Sequence, residues 1–229
     1  MGARAYVVTG ASSGIGEAVA RRILSRGDAA LLVARRGDRL AALASGFTAA
    51  RILSCDLSEE GAAARVAAAA AELGPLSGFV HCAGFADPAP IGMIDEASAR
   101  RMYAVHALFP LMFLGWMARR ANHADGASAV LVSSRSAREA DVGNAAYASA
   151  KGAVEGLFAT ARAELAPRGL RVELFAPSEV DTDMARDTWM RTASPERVAE
   201  TMARHPGGLP KADDAAAEIV ALLDGKENQ

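Results

Sequence analysis

The sequence predicts an α/β fold in which a parallel, doubly wound sheet is flanked by helices. Short runs rich in Val, Leu and Ile alternate with longer alanine-rich stretches along the 229 residues. The short runs are almost continuously apolar, which is typical of strands covered on both faces. Because strands that alternate with helices assemble into parallel sheets, we expect a single domain over residues 1–229.

Six apolar runs are the candidate strands. They are AYVVTG, ALLVAR, ARILSC, LSGFVH, ASAVLVSS and LRVELFAP, at residues 5–10, 30–35, 50–55, 76–81, 127–134 and 170–177. The helices expected between them span residues 14–26, 37–46, 58–73, 95–121 and 143–167. We find no repeat, linker or change in composition that divides the chain, and the alanine-rich run within 58–73 is simply a strong helix former.

Composition narrows the class of partner. Hydrophobic residues make up 51% of the chain, charged residues make up 23%, and the formal net charge is -2. This charge balance offers no basic field for nucleic acid or for an anionic membrane, so the expected partner is a small molecule. The sequence contains neither a signal-peptide core nor an apolar run long enough to span a bilayer.

The cysteines and histidines indicate neither disulfides nor a metal site. Cys55 and Cys82 are too few for a disulfide framework and fit no metal-ligand spacing. His81, His123 and His205 are scattered in the same way, so we expect no bound metal. The cysteine content predicts a reduced, cytoplasmic setting.

A glycine-rich turn follows the first strand. In TGASSGIG, residues 9–16, glycines at 10, 14 and 16 allow the backbone to approach a phosphate group at the start of the next helix. No lysine follows, so this is not a P-loop, and the spacing is G-x-x-x-G-x-G. The alternative is an ordinary tight turn from strand to helix. Its place after the first strand of a doubly wound sheet favours a nucleotide site.

A tyrosine and a lysine lie four residues apart in YASAK, residues 147–151. On a helix this spacing brings Tyr147 and Lys151 to one face, so the phenol and the ammonium can act on the same small volume. The alternative is two side chains on a solvated helix. Ser134 ends the fifth predicted strand, thirteen residues before the tyrosine.

These motifs together resemble the short-chain dehydrogenase/reductase family. The resemblance extends over residues 5 to about 184 and includes TGASSGIG, Ser134, YASAK, CDL at 55–57, AG at 83–84 and APSEVDT at 176–182. It implies a Rossmann-like sheet of order 3-2-1-4-5-6. It also implies cofactor contacts from Gly10, Ser12, Ser13, Gly14, Ile15, Gly16, Arg35, Arg36, Asp56, Leu57, Cys82, Ala83, Gly84, Tyr147, Lys151, Val180 and Thr182.

The chain departs from the family pattern at several positions. Cys82 replaces an asparagine before AG, Ser178 replaces a glycine after Pro177, and His106 stands where the family usually has an asparagine. The sequence also ends without a seventh strand, so we expect six strands.

The resemblance assigns the chemistry to four side chains. Tyr147 is the expected proton donor and acceptor, and Ser134 orients the reacting oxygen. Lys151 should lower the pKa of the tyrosine and bind the nicotinamide ribose. His106, with an ordinary pKa of about 6.5, is expected to relay protons to Lys151 through one water. Its alternative role is to kink the helix.

The end of the second strand predicts the cofactor. An acidic residue there would bind a ribose 2′-hydroxyl, but the chain has Ala34, Arg35 and Arg36. Two guanidinium groups favour a 2′-phosphate and therefore NADP(H), with Arg35 as the main contact and Ser13 nearby. The alternative is two surface arginines.

Asp56 should meet the adenine, or cap a helix, or both.

Residues 183–208 are expected to close over the substrate as a lid. This segment contains Met184, Trp189, Met190 and Met202, which suit an adaptable apolar cover, although ordinary amphipathic packing explains them equally well. Arg135, Arg138 and Glu139 follow Ser134. They are more typical of a solvated loop, and would indicate a polar or anionic substrate if they faced the pocket.

The helices at 95–121 and 143–167 predict a homodimer. They match the helices that pair across a two-fold axis in the family, and residues 102–117 are more apolar than one buried helical face requires.

The predicted function is an NADP-dependent carbonyl reductase or alcohol dehydrogenase. The alternatives are an NAD-linked alcohol dehydrogenase and a nucleotide-binding sensor that has the same fold without turnover.

Overall fold

Six parallel strands form the sheet predicted from the sequence. The computed structural model describes residues 3–139, 142–192 and 194–226. The strand order is β3-β2-β1-β4-β5-β6, which confirms the predicted order. The strands are β1 Ala5–Thr9, β2 Ala29–Ala34, β3 Ala50–Ser54, β4 Leu76–His81, β5 His123–Val132 and β6 Arg171–Phe175.

Helices cover both faces of the sheet. They are α1 Gly14–Ser25, α2 Gly37–Ala44, α3 Ala62–Ala71, α4 Glu96–Tyr103, α5 Phe109–Met117, α6 Ala145–Leu165, α7 Asp183–Thr192, α8 Pro195–Arg204 and α9 Ala212–Leu223. A π-helical turn, Ala104–Leu108, joins α4 to α5. No helix in the described part of the chain is long and apolar enough to cross a bilayer.

Two apolar layers lie on opposite faces of the sheet. Successive strand residues point to opposite faces, so Val7 packs into one layer and Val8 into the other. Phe79 and Phe113 pack in the first layer, which lies beneath α3, α5 and α6. Ile219 belongs to the second, beneath α1, α2 and α9. Each fully buried aliphatic side chain contributes about 1.5 to 3 kcal/mol, and burial on both faces explains the apolar runs of the central strands β1, β2, β4 and β5.

The expected helix at 95–121 is interrupted at its centre. Pro110 has no backbone N–H, and its ring would clash with the carbonyl of His106 in a regular helix. The chain widens into the π-helical turn at Ala104–Leu108 just before this proline. The interruption turns His106, which is 1% exposed, inward at the middle of the turn.

The carboxyl ends of all six strands meet at one edge of the sheet. The turns after β1, β4, β5 and β6 converge there because the strands are parallel. Strand β5 ends at Val132 rather than at the predicted Ser134, so both serines of the pair lie in the following turn. The segment that carries α7 and α8 leaves this edge, and its ends are tied together where the Asp181 amide donates to the Pro210 carbonyl at 2.8 Å.

Candidate active site

The turn after β1 requires glycine for steric reasons. Gly10 has a φ of 70°, and a Cβ there would lie 2.8 Å from the Ala83 nitrogen. A Cβ on Gly16 would lie 2.4 Å from the Gly10 carbonyl oxygen. The turn after β4 therefore packs directly on the glycine-rich turn, and the first amides of α1 are open to the space above it.

A cavity of about 390 Å³ lies above this turn. It extends from the start of α1 across the ends of β2 and β3 to the turn after β4. It brings together fourteen of the residues predicted to hold the cofactor: Gly10, Ser12, Ser13, Gly14, Ile15, Gly16, Arg35, Arg36, Asp56, Leu57, Cys82, Ala83, Gly84 and Thr182.

One end of this cavity carries the two adjacent arginines. The Arg36 guanidinium donates to the Ser12 hydroxyl at 3.0 Å and to the Ser13 hydroxyl at 2.6 Å. Arg35, the residue expected to make the main contact, instead lies where its charge acts on Asp56. The two side chains diverge because α2 begins at Gly37, directly after them. The guanidinium that lies against the glycine-rich turn is therefore that of Arg36.

Asp56 lines the large cavity but caps no helix, because α3 begins at Ala62 with Gly61 at its N-cap. Its carboxylate accepts from the Ser58 amide at 2.9 Å and from the Ser58 hydroxyl at 2.7 Å, and the residue also lines the large cavity. Burial alone would raise the pKa of Asp56, but the hydrogen bonds from Ser58 and the charges of Arg35 and Arg101 lower it overall. Arg101 also lines this cavity, and no sequence pattern singled it out.

A second, smaller cavity of about 150 Å³ adjoins the first. The two cavities share Ile15, Cys82, Gly84, Thr182 and Met184 on their walls. The second cavity brings together the predicted reactive residues and a predicted cofactor contact: Ser134, Tyr147, Lys151, His106 and Val180.

Lys151 lies beneath the tyrosine in this second cavity. Its side chain is 4% exposed, and its ammonium donates to the Val132 carbonyl at 2.8 Å. The Lys151 nitrogen lies 5.7 Å from the centre of the Tyr147 ring. Burial lowers the pKa of Lys151 to about 8, so the group is mostly charged at neutral pH. A buried cation thus lies next to the phenol, as the helical spacing of YASAK predicts.

The Ser134 hydroxyl is held at the mouth of the turn after β5. Its oxygen accepts from the Ser136 amide at 3.2 Å. The hydroxyl hydrogen is not used in this contact, so the serine can still donate to a ligand oxygen in the cavity.

His106 packs against the tyrosine from the other side. The two rings meet edge to face, with their centres 5.5 Å apart. Its Nε2 lies 2.9 Å from the Phe85 carbonyl oxygen and 3.2 Å from the Phe85 nitrogen. Gly84 makes room for the imidazole, since a Cβ there would lie 2.4 Å from its Cε1.

The expectation that His106 titrates near neutrality is wrong. Burial, and then the charge of Lys151, lower the pKa of His106 well below its ordinary value. The imidazole is therefore neutral at physiological pH, and any role in proton transfer must use its neutral donor and acceptor atoms. The π-helical turn around it agrees with the alternative role, the helix kink.

His81 holds the turn after β4 in place. Its Nε2 lies 3.0 Å from the Val105 carbonyl oxygen, which can only accept, so Nε2 carries the hydrogen. Its Nδ1 then accepts from the Thr9 hydroxyl at 2.9 Å, and the Thr9 oxygen accepts from the Ala83 amide at 3.2 Å. Burial lowers the pKa of His81 to about 3, so the ring stays neutral and the network is stable.

Cys82 follows His81 and lies on the wall that the two cavities share. Burial raises the pKa of the thiol to about 12, so Cys82 is neutral and unreactive as a nucleophile. Ser178, the third departure from the family pattern, lines the second cavity. Neither substitution closes the connection between the cavities.

The expectation that Arg135 belongs to a solvated loop is wrong. Arg135 lines the second cavity with its side chain 21% exposed, and its guanidinium binds the carboxylates of Glu139 and Glu179. Arg138 is 63% exposed and pairs with Glu155 on α6. Because two carboxylates already neutralise Arg135, its presence in the wall does not by itself indicate an anionic substrate.

Two polar residues of this wall, Glu179 and Asn144, were not predicted from the sequence. Glu179 lies inside the quoted APSEVDT motif, so its position was predictable, but its ion partners come from elsewhere in the chain. Asn144 precedes α6 and is 5% exposed, and its Oδ1 has no hydrogen-bond partner among the described residues. Its closeness to Tyr147 in sequence was the available signal.

The residues that line the cavities support the predicted lid at α7 but not at Met202 of α8. Met184, Ala185 and Thr188 of α7 line the second cavity, whereas Met202 of α8 is 46% exposed and lines neither cavity. The side chains of Trp189 and Met190 lie outside the described part of the structure.

A parallel sheet of this order, with a glycine-rich turn after β1, defines a dinucleotide-binding protein. Comparison with protein families matches residues 4–192 to the short chain dehydrogenases. The chain belongs to the short-chain dehydrogenase/reductase family of oxidoreductases, which bind a nicotinamide cofactor.

Individual relatives and a solved structure agree with this assignment. The chain is 34% identical to cis-4-hydroxycyclohexanecarboxylate dehydrogenase of Sinomonas cyclohexanicum, over 96% of this chain and 93% of that protein. It is 31% identical to D-erythrulose reductase of Gallus gallus, over 97% and 89% of the two chains. A short chain dehydrogenase from Burkholderia cenocepacia J2315 in complex with NADP aligns with a TM-score of 0.82 and 26% identity, over 98% of this chain and 92% of that one.

Proposed function

We propose that this chain is an NADP(H)-dependent oxidoreductase that interconverts a carbonyl and an alcohol. The observation that carries the proposal is the junction of the two cavities: Ser134, Tyr147 and Lys151 line a small cavity that opens into the one above the glycine-rich turn. A bound dinucleotide in the large cavity could therefore reach a substrate held beside the tyrosine.

The residues of the large cavity fit such a cofactor. Gly10 and Gly16 leave space that a Cβ would fill, which suits a pyrophosphate at the first amides of α1. Asp56 lines the large cavity and Val180 and Thr182 line the small one, which supports an adenine end near Asp56 and a nicotinamide end near Val180 and Thr182. When bound, NADP(H) supplies or accepts the hydride.

The chain itself manages the proton and the developing charge on oxygen. Tyr147 donates its phenolic proton to the substrate oxygen during reduction and accepts it back during oxidation. The Ser134 hydroxyl donates a hydrogen bond to the same oxygen. Lys151, buried and charged, stabilises the phenolate that Tyr147 becomes.

The reaction test measures NADPH oxidation against a panel of ketones, aldehydes, quinones and keto sugars. The names of the two relatives add 4-oxocyclohexanecarboxylate and erythrulose to the panel. We expect turnover with at least one compound. Tyr147→Phe retains the ring but not the proton donor, so its turnover should be roughly 100- to 10,000-fold lower. NADPH affinity should be unchanged in this variant. Full activity of Tyr147→Phe would contradict the mechanism, and NADPH binding without any turnover would favour the sensor.

We infer a preference for NADP(H) from the basic end of the large cavity. The Arg36 guanidinium, which bridges the Ser12 and Ser13 hydroxyls, supports binding of a 2′-phosphate there, with Arg35 beside it. Titration of the protein with NADPH and NADH should show the former bound more tightly by at least about tenfold. Equal affinities would contradict the preference and leave the NAD-linked enzyme as the better description.

We also propose that the chain forms a homodimer in the cytoplasm. Tyr103, Leu108 and Leu111 are 40%, 54% and 50% exposed along an apolar groove between α4, α5 and α6. A continuous apolar surface of this kind usually meets a partner. The unpaired cysteines Cys55 and Cys82 suit a reducing compartment. Light scattering at micromolar concentration should give twice the chain mass of 23.7 kDa, and a monomer mass would contradict the dimer.

A further inference from the structure

The wall of the second cavity contains a buried carboxylate with several partners. The Glu179 side chain is 9% exposed, and its Oε1 accepts from Arg135 at 2.5 Å and from Arg204 at 3.1 Å. The Thr201 hydroxyl lies 3.5 Å from the same oxygen, and the His205 Nε2 lies 3.7 Å from Oε2. Two cations therefore share one carboxylate oxygen, which is an unusual concentration of charge for a mostly buried group.

Three of these partners come from helix α8 or its end. Thr201 and Arg204 belong to the helix, and His205 follows it directly. The Arg204 guanidinium also donates to the Thr201 hydroxyl at 3.1 Å, so the two side chains form one polar surface that faces Glu179.

Helix α8 presents its polar side to the protein. Among its residues whose burial is described, Thr201 alone is buried, at 1% exposure, whereas Val198 and Met202 are 38% and 46% exposed. Most helices of globular proteins are held by a buried apolar face, which α8 lacks over these residues. Its polar contacts with Glu179 must therefore supply much of what holds it in place.

The fourth partner of Glu179 adjoins the catalytic serine. Arg135 follows Ser134, its amide donates to the Pro177 carbonyl at 3.2 Å, and its guanidinium binds both Glu139 and Glu179. Glu179 thus connects the turn after β5, the turn after β6 and helix α8.

We propose that Glu179 is a positioning residue that holds helix α8 against the wall of the substrate cavity and couples it, through Arg135, to the segment that carries Ser134. The proposal rests on the proposed function where it describes the cavity as the substrate site and the serine as catalytic. Glu179 lines the second cavity and not the first, so its effect falls on the substrate rather than on the dinucleotide.

The test is hydrogen exchange of the protein without cofactor or substrate, in wild type and Glu179→Gln. Glutamine preserves the size of the side chain and removes its charge, so Arg135 and Arg204 lose their shared counter-ion. We expect the amides of residues 198–204 to exchange faster by at least about tenfold, while those of β1 and β4 remain protected. The KM for the carbonyl substrate should rise in the same variant, with the dissociation constant for NADPH unchanged.

Glu155→Gln is the matched control. Glu155 is a 20% exposed carboxylate that accepts from Arg138 and from the Ser133 hydroxyl, and it has no described contact with α8. Exchange of α8 should stay as in wild type. If Glu155→Gln accelerates exchange in α8 as strongly as Glu179→Gln, the effect is general and the proposal fails.

A second variant covers the case in which Glu179→Gln does not fold. Arg204→Met removes one partner from a side chain that is 44% exposed, so it should fold and accelerate exchange of α8 by a smaller factor. Unchanged exchange of α8 in the variants that fold overturns the proposal. Faster exchange in a protein that reduces no carbonyl would support Glu179 as the anchor of α8 and refute the proposed function, so the two outcomes are distinguishable.

Discussion

Asp28 and Lys151 are charged residues buried at opposite edges of the sheet, and they differ in whether a counter-ion accompanies them. At the amino edge, Asp28 is 9% exposed and lies 3.2 Å from Arg4 and 3.4 Å from Arg26. Asp224, after α9, binds the same two arginines at 3.1 and 2.9 Å. At the carboxyl edge, Lys151 is buried and donates to a carbonyl, with no carboxylate among its described contacts. Asp28 therefore has cationic partners at the amino edge, whereas Lys151 at the carboxyl edge has no counter-ion among its described contacts.

This difference means that burial of an uncompensated charge lowers the stability of the fold at the carboxyl edge. A shift in the pKa of Lys151 from 10.5 to about 8 corresponds to about 3 kcal/mol at neutral pH. The pKa is lowered in the folded state, so this destabilisation is fully present below about pH 8 and disappears as the pH rises to about 10.5. The buried Nδ1 of His106 and Oδ1 of Asn144, which have no partner among the described residues, add to the cost of the same edge. Unfavourable electrostatics concentrated at one edge are typical of a site arranged for chemistry.

The strongest test of this comparison is Lys151→Met. Turnover should fall by about a hundredfold or more, because the tyrosine loses its cation. The free energy of unfolding at pH 7 should rise by about 1 to 2 kcal/mol, since the gain from removing a buried charge exceeds the loss of the donor to Val132. Urea unfolding and NADPH oxidation measure the two effects, and a loss of stability would refute the comparison.

Wild type and Lys151→Met also test how the free energy of unfolding depends on pH. Between about pH 8 and pH 10.5 the unfolded chain holds the lysine proton more tightly than the folded one, so wild type should gain stability relative to the variant. Turnover of wild type should decline over the lower part of this range as Lys151 loses its charge. A stability difference that stays constant across this range would show that the lysine is not the cause.

The next effect in size concerns cofactor affinity. Arg36→Ala should weaken NADPH binding by about 10- to 100-fold and leave NADH binding nearly unchanged, because a guanidinium–phosphate contact contributes about 1.5 to 3 kcal/mol. The control is Arg39→Ala, which removes an exposed arginine from α2 that lines neither cavity. If both variants weaken NADPH equally, the effect is one of general charge, and the assignment of Arg36 is wrong.

A smaller effect is expected at His106. His106→Ala should lower turnover by about tenfold with little change in NADPH affinity, and His106→Asn should restore much of it, since an amide also donates and accepts. Because the pKa of His106 lies well below its ordinary value, the rate of wild type should show no step from this residue between pH 6 and 8. If His106→Ala has the same turnover as wild type, His106 has only a packing role.

The smallest effect on activity is expected at the amino edge. Asp28→Asn leaves Arg4 and Arg26 with one shared carboxylate, and should lower the free energy of unfolding by about 1 to 2 kcal/mol. Turnover and NADPH affinity should stay within about twofold of wild type, because no described contact of Asp28 reaches either cavity. A large loss of activity in this variant would show that the two edges are not independent.

The parallel sheet was predictable from the sequence, and so was the set of residues that meet in the second cavity. Apolar runs at strand length, separated by helical stretches, were enough to predict parallel strands, and the resemblance to the family supplied the order that the structure has. The glycine-rich turn and the Tyr147–Lys151 spacing were readable because both depend on neighbours within eight residues. Such short-range patterns depend on backbone geometry that the local chain already specifies.

Contacts between residues far apart in the chain could not be predicted from the sequence. The neighbours Arg35 and Arg36 look equivalent in sequence, but the start of α2 directs Arg36 to the serines of a turn more than twenty residues away. Burial lowers the pKa of Lys151 to about 8, and burial together with the charge of Lys151 lowers the pKa of His106 well below its ordinary value. The ion pairs of Glu179 join residues from 135 to 204, and their partners depend on how β5, β6 and α8 pack together. Side-chain direction, desolvation and distant charge pairs arise from packing, which no local pattern specifies.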